Sequence, residues 1–176
     1  MDAMARPGQI KAIESALAPP RPLSPAAAAI ALTLLDYETP VWLDSPLADA
    51  PGVLRWLKFY TGASVTNEKA TAGFAIIADP VGMPRLDEFA LGTLEFPDRS
   101  STLLIQVDTF ASGKNFVLTG PGIANEQRLS VTPMPDGIVA QLTANRRLFP
   151  RGVDIVLAAS RSVAALPRSV RILGEE

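Results

Sequence analysis

The chain has 176 residues, 48% of them apolar, with 16 basic and 18 acidic side chains for a formal net charge of −2. It contains no cysteine and no histidine, which excludes disulfides, thiol nucleophiles, thiolate zinc or iron–sulfur ligation, and any triad built on an imidazole base. One domain over residues 1–176 is expected, because a chain of this size buries about two-thirds of its unfolded surface without staples.

The amino terminus has no basic stretch followed by a long apolar core, so it does not read as a secretory signal. Residues 18–25 (APPRPLSP) form a proline-rich connector that cannot be helical throughout. A helix follows at once, with Ser24 suited to the N-cap and Pro25 to the first helical position. From Ala26 to Leu35 it is apolar nearly all round, which predicts burial on several sides, and Asp36 ends it. The apolar run Pro25–Leu35 is too short for a bilayer, which needs about 20 residues. A cytoplasmic protein with no membrane partner is the expectation.

Residues 39–43 (TPVWL) read as a short buried strand. Val53, Trp56, Leu57 and Tyr60 then recur at helical spacing, predicting an amphipathic helix that turns Arg55 and Lys58 to solvent and stops at Gly62. Residues 73–78 (GFAIIA) look like a central strand, with a short helix around Leu86–Leu91. Residues 102–109 and 115–119 are two β-rich runs joined by Ser112 and Gly113, which predicts a hairpin. Asp136 is placed to cap a helix whose inner face holds Ile138, Val139 and Leu142. Residues 153–159 and 163–166 predict a second hairpin around Ser160–Ser162, and Pro167 closes it.

Continuous apolar strands need cover on both faces, and hairpins require antiparallel neighbours. The expected fold class is therefore α/β: a three-layer domain with a mixed β-sheet. The densest basic patch is Arg146, Arg147 and Arg151, too short a run to imply nucleic acid.

The candidate ligand-binding residues are Thr119, Gly120, Gly122 and Arg168. Residues 118–123 (LTGPGI) end a strand, and their glycines allow either close approach to a ligand, with amides free for phosphate oxygens, or simply a tight turn. The stretch lacks the Lys-Ser/Thr of a phosphate-binding loop and the spacing of a dinucleotide fingerprint. Gly113-Lys114 fails the same test, since Asn115 stands where Ser or Thr is needed. Arg168 offers a planar fork for an intersubunit ion pair or for an anion. Asp154 interrupts an apolar strand, either as a strand-start residue facing water or as the buried partner of an arginine. Asp87 and Glu88 are adjacent and diverge by about 100° on a helix, so they do not converge on one substrate. Asp36 and Glu38 lie in a helix-to-strand turn. None of the four lysines, Lys11, Lys58, Lys69 and Lys114, sits in the apolar context that a pyridoxal Schiff base requires. No catalytic residue and no metal ligand is assigned.

Six strings in order, residues 3–8 (AMARPG), 39–43 (TPVWL), 103–107 (LLIQV), 118–123 (LTGPGI), 149–155 (FPRGVDI) and 164–168 (AALPR), resemble the PhnH family, the H subunit of the phosphonate carbon–phosphorus lyase system. The resemblance spans nearly the whole chain. It implies a homodimer-forming α/β protein whose fold is similar to pyridoxal phosphate-dependent transferases but holds no cofactor. It also implies assembly with the G, I and J subunits. It implies a part, together with the G, I and L proteins, in phosphonate activation, the transfer of a ribose triphosphate unit from ATP, ahead of carbon–phosphorus cleavage. The lack of histidine and cysteine, the poorly placed lysines and the incomplete nucleotide motifs independently point to a non-catalytic or accessory role there. Family members carry a further stretch before the equivalent of residues 3–8, so an amino-terminal segment is expected to be missing. Interfaces are expected at the Pro25–Leu35 helix or the edge near Phe149. Two competing readings are an autonomous transferase binding a nucleotide or phosphonate at the 118–123 turn, and a degenerate pyridoxal-binding protein.

Overall fold

The structure, a computed structural model, describes residues 1–175. In chain order the helices are α1 (Asp2–Ala5), α2 (Pro25–Leu34), α3 (Ser45–Ala48), α4 (Pro51–Thr61) and α5 (Ile138–Arg147). The strands are β1 (Lys11–Ala12), β2 (Val41–Leu43), β3 (Phe74–Ile77), β4 (Thr102–Gln106), β5 (Thr109–Thr119), β6 (Gln127–Thr132), β7 (Asp154–Ala158), β8 (Ser162–Leu166) and β9 (Arg171–Glu175).

The continuous apolar strands form the middle of a mixed sheet ordered β1-β8-β7-β4-β3-β2. β2, β3, β4 and β7 are parallel, β8 is antiparallel to β7, and β1 at the edge is antiparallel to β8. Side chains alternate between the two faces, as the two-residue period of a strand dictates. Ile76, Leu104 and Val156 pack into a core shared with α2 and α4, through Ala27, Ala28, Ala31, Val53 and Leu57. Ile77, Leu103, Ile105, Ile155 and Leu157 face the opposite core. There the cover is a second sheet, ordered β6-β5-β9, together with α5. The mixed α/β sheet thus agrees with the sequence reading, while one covering layer is largely a second antiparallel sheet that the sequence reading did not separate out.

Local signals explain the helices. Ser24 caps α2, its Oγ accepting from the Ala27 amide at 3.2 Å, with Pro25 in the first turn. Ala26, Ala27, Ala28 and Ala31 are buried, so small side chains let α2 lie close against the sheet. Gln106, at the end of β4, ties the proline-rich connector down: its Oε1 accepts from Ser24 N at 2.6 Å and its Nε2 donates to Pro22 O at 3.1 Å. In α4, Val53 and Leu57 are buried and Arg55 and Lys58 exposed, as their spacing predicts. Tyr60 departs from that pattern. It continues the apolar stripe in direction, yet it is 58% exposed and packs its ring on Trp56 and Phe59. Periodicity fixes where a side chain points but not whether another element covers it.

Three expectations are corrected. Residues 102–109 and 115–119 are not a hairpin. β4 is an inner strand between β3 and β7, and Thr109–Thr119 is one strand of the other sheet. Ser112 and Gly113 fall inside β5, where the register shifts between Thr109 and Lys114, so the glycine marks a bulge rather than a turn. The hairpin partner of β5 is β6, and the 118–123 stretch spans the end of β5 and the start of the connection between them. The helix expected over Leu86–Leu91 is a single 3₁₀ turn, Leu86–Glu88, because Phe89 is already extended and Leu91 bridges Ser100. Asp136 does not cap α5. Gly137 takes the N-cap position, and Asp136 is exposed with its carboxylate 4.0 Å from Lys114 Nζ. The inner face is as expected, with Ile138 and Leu142 buried and Val139 half-buried. The β7–β8 hairpin also forms as predicted, ending at Leu166 before Pro167.

Candidate functional site

Thr119 ends β5 opposite Arg171 of β9, and a turn closes beyond it with Ile123 N donating to Gly120 O at 3.1 Å. Gly120 has φ +136° and Gly122 φ +82°. A Cβ on Gly120 would lie 3.2 Å from Ser169 O, and one on Gly122 would lie 2.2 Å from Ala5 O and 2.9 Å from Pro7 Cδ. The close approach that these glycines permit is therefore to segments of the same chain. This geometry favours the tight-turn reading of residues 118–123.

Arg168 is built into the protein. Its Nε donates to Asp154 Oδ1 and Oδ2 at 3.1 and 3.2 Å, Nη2 donates to Oδ2, and Nη1 reaches Pro97 O at 2.7 Å and Pro150 O at 3.4 Å. The Arg168 amide also donates to Asp154 Oδ1 at 2.8 Å. The two side chains are only 14% and 15% exposed. The fork of Arg168 is thus engaged within the chain by Asp154. Asp154 is the buried arginine partner rather than a water-facing strand start. Hairpin register explains the outcome. Ile155 lies opposite Leu166, so a residue just past Pro167 falls beside the first residue of β7.

A third locus escaped the sequence reading. The chain leaves β2 toward the α2–α4 core, through Leu47, Val53 and Leu57, and leaves β3 toward the opposite core, through Leu86 and Phe89. Where neighbouring parallel strands send their connections to opposite faces, a crevice opens that often receives ligands in α/β proteins. Asp44 stands directly after β2 in this region and is 6% exposed. Its Oδ2 accepts from Ala78 N at 2.6 Å and Asp79 N at 2.8 Å, while Oδ1 is buried with no partner. Burial pushes the Asp44 carboxyl above its ordinary range and the Asp79 charge adds to this, against the opposing pull of the backbone amides. The available signal was an aspartate placed directly after a buried strand.

A concavity of about 310 Å³ lies between Arg85–Leu91 and α5, lined by Leu86, Leu91, Ala144 and Leu148 with Gln141 and Asn145. Both amides are engaged within the chain. Gln141 Oε1 accepts from Leu86 N at 3.0 Å, and Asn145 reads the Val153 peptide in both directions, at 2.8 and 2.9 Å. At its edge, Arg85 pairs with Asp87 at 3.0 Å. Among the described residues no group of three or more Asp or Glu side chains could hold a metal ion. Lys11, Lys69 and Lys114 face carboxylates, and Lys58 is exposed and donates to Gly62 O. Nor is any helix among the described residues long and apolar enough to cross a membrane.

Two outcomes check these assignments. Replacing Arg168 by Ala strands a largely buried carboxylate and should lower unfolding free energy by about 3 kcal/mol. A further Asp154→Leu change in that background should recover part of the loss, as read from urea midpoints. For Asp44, the unfolded chain gives up its proton first. The stability tied to the raised folded pKa is complete below the unfolded value and falls as pH rises through the folded one. Asp44→Asn removes that loss, so the variant should gain on the wild type as pH rises above about 4. A pH-independent difference in chemical melts would contradict the assignment.

The strings singled out in the sequence are largely contacts of one another. Residues 5–8 lie against Leu118 and Gly122, the 149–155 segment meets 164–168 through Asp154 and Arg168, and Leu103 pairs with Ile155. A family model described as "Bacterial phosphonate metabolism protein (PhnH)" matches residues 1–173. The chain is 44% identical over 172 residues, 98% of its own length and 86% of the relative's, to the alpha-D-ribose 1-methylphosphonate 5-triphosphate synthase subunit PhnH of Rhizobium meliloti (strain 1021). It is 40% identical over 82 residues, 47% of this chain and 42% of the other, to HtxG of Stutzerimonas stutzeri, a protein named provisionally as a C-P lyase subunit. A match over nearly the whole chain shows that the protein belongs to the PhnH family of bacterial phosphonate metabolism proteins.

Proposed function

We propose that this chain is an accessory, non-catalytic subunit of a carbon–phosphorus lyase core complex, required for phosphonate activation by ribose triphosphate transfer from ATP. It acts in the cytoplasm as a homodimer beside the G, I and J subunits, on a fold of the pyridoxal transferase kind that uses no cofactor. The family membership and the relatives' names as subunits support the pathway. The observation that carries the accessory role is the state of the polar groups. Arg168, Asp154, Gln141 and Asn145, which line or border the concavities, hold one another or the backbone, and no histidine or cysteine exists to replace them. A general acid or base must be free to exchange a proton with substrate.

Of the two contact surfaces that the sequence offered, the edge near Phe149 is the better supported. Phe149 is 52% exposed, whereas α2 has its four buried alanines in the core. The autonomous-transferase reading at Thr119, Gly120 and Gly122 finds less support, since that turn packs on Ala5 and Ser169.

The test is reconstitution. The G, I, J and L proteins with ATP and methylphosphonate should form ribose triphosphate product only when this chain is present, and the purified chain alone should form none. Product from the isolated chain, or full activity without it, would refute the accessory role. Failure to co-purify with G, I and J would refute the assembly.

A further inference from the structure

α5 ends in two arginines and β9 begins with a third. Arg146 and Arg147 lie in the last turn of α5, and Arg171 opens β9. Between the two elements runs a groove of about 330 Å³ lined by Thr143, Arg146, Arg147, Arg171, Ile172 and Leu173. Among the described residues none of the three guanidiniums has a carboxylate partner, while Arg6, Lys11, Lys69, Arg85 and Arg168 each do.

The ordinary account of arginines in a last helical turn is their attraction to the negative end of the helix dipole. That account covers Arg146 and Arg147. It does not cover Arg171, which comes from a strand of the smaller sheet and brings a third like charge to the same groove. Converging like charges repel, and a bound anion turns that repulsion into attraction. Arg146 is held further: its guanidinium lies 4.9 Å over the Phe149 ring, and its Nε is buried without a partner.

We propose that this groove binds the oligophosphate portion of a phosphorylated small molecule. Guanidinium forks take phosphate oxygens two at a time, and three of them match a compact anion of several charges. The Thr143 hydroxyl adds a donor, and Ile172 with the 59%-exposed Leu173 supplies an apolar wall for the ligand's carbon skeleton. An acidic segment of a partner protein fits less well. Same-face carboxylates on an extended strand stand about 7 Å apart, so such a segment spreads its charge along a line instead of concentrating it in one groove. The identity of the ligand, though not the existence of the site, rests on the reading of this chain as part of a ribose triphosphate-forming assembly.

The test is calorimetric titration of the full chain with inorganic tripolyphosphate, alone and within the co-expressed assembly, at two salt concentrations. Wild type should bind more weakly as salt rises. Arg147→Ala/Arg171→Ala removes two exposed side chains, so its melting without ligand should be unchanged, while its affinity falls by at least about tenfold. The corresponding double Lys variant keeps the charge without the fork and should fall between the two. Equal affinity in wild type and the Ala variant, or no binding by wild type in either form, overturns the proposal. So does an Ala variant that loses the other subunits while wild type ignores tripolyphosphate, which makes the groove a protein contact. A chain that binds tripolyphosphate at these arginines yet never joins the assembly keeps this site and sinks the functional reading instead.

Discussion

The Asp154–Arg168 pair holds the two sheets in their relation. β8 belongs to the larger sheet and β9 to the smaller, and Arg168 stands on the four residues that carry the chain from one to the other. Its fork fixes that crossing to the head of β7, and its remaining donors take the carbonyls of Pro97 and Pro150. Removing two charges from water is costly, and the cost is offset only where geometry is good and the other donors are satisfied. Both conditions hold here. Three loops that are distant in sequence therefore have one position relative to each other.

That constraint reaches the surface. Arg171 follows Arg168 by three residues, and Phe149 directly precedes Pro150. The guanidinium of Arg146 rests on Phe149, so the buried pair sets the spacing between the arginines of α5 and the arginine of β9. A largely buried ionic contact with no chemistry of its own thus arranges a cluster of charges that does face solvent. Asp44 makes the converse case. It ties the end of β2 to the backbone just past β3, and it does so at the cost of one unpaired carboxylate oxygen.

Local chemistry made much of this fold legible in the sequence. Ser24 followed by Pro25, the Val53–Leu57 spacing, and the two apolar runs around Ser160–Ser162 each specify their element within a few residues. What failed was assignment across distance. Thr102–Gln106 and Phe116–Thr119 look alike as β-rich runs, and the intervening Gly113 reads as a turn when taken alone. The difference lay in the unbroken apolar run Leu103–Ile105, which demands cover on both faces; an exposed hairpin cannot supply that. Arg168 was recognised as a fork without its partner, although the register of the second hairpin would have placed Asp154 beside it. The basic patch at Arg146 and Arg147 was visible, but Arg171 could not be added to it before β9 was known to lie along α5. Asp44 gave only the faint signal of an acid after a strand.

The strings that resemble the family include residues with little geometric freedom. Gly122 has no room for a Cβ, Asp154 and Arg168 satisfy each other, and Leu103 and Ile155 are wholly buried. Sequence likeness therefore identifies the scaffold with more authority than it identifies a reaction. For this chain the absence of histidine has a further consequence. Arginine stays charged throughout the physiological range, whereas imidazole would lose its proton within it. The proposed groove draws its attraction for phosphate from Arg146, Arg147 and Arg171 and from no imidazole. Such a site suits holding a substrate in place better than exchanging protons with it.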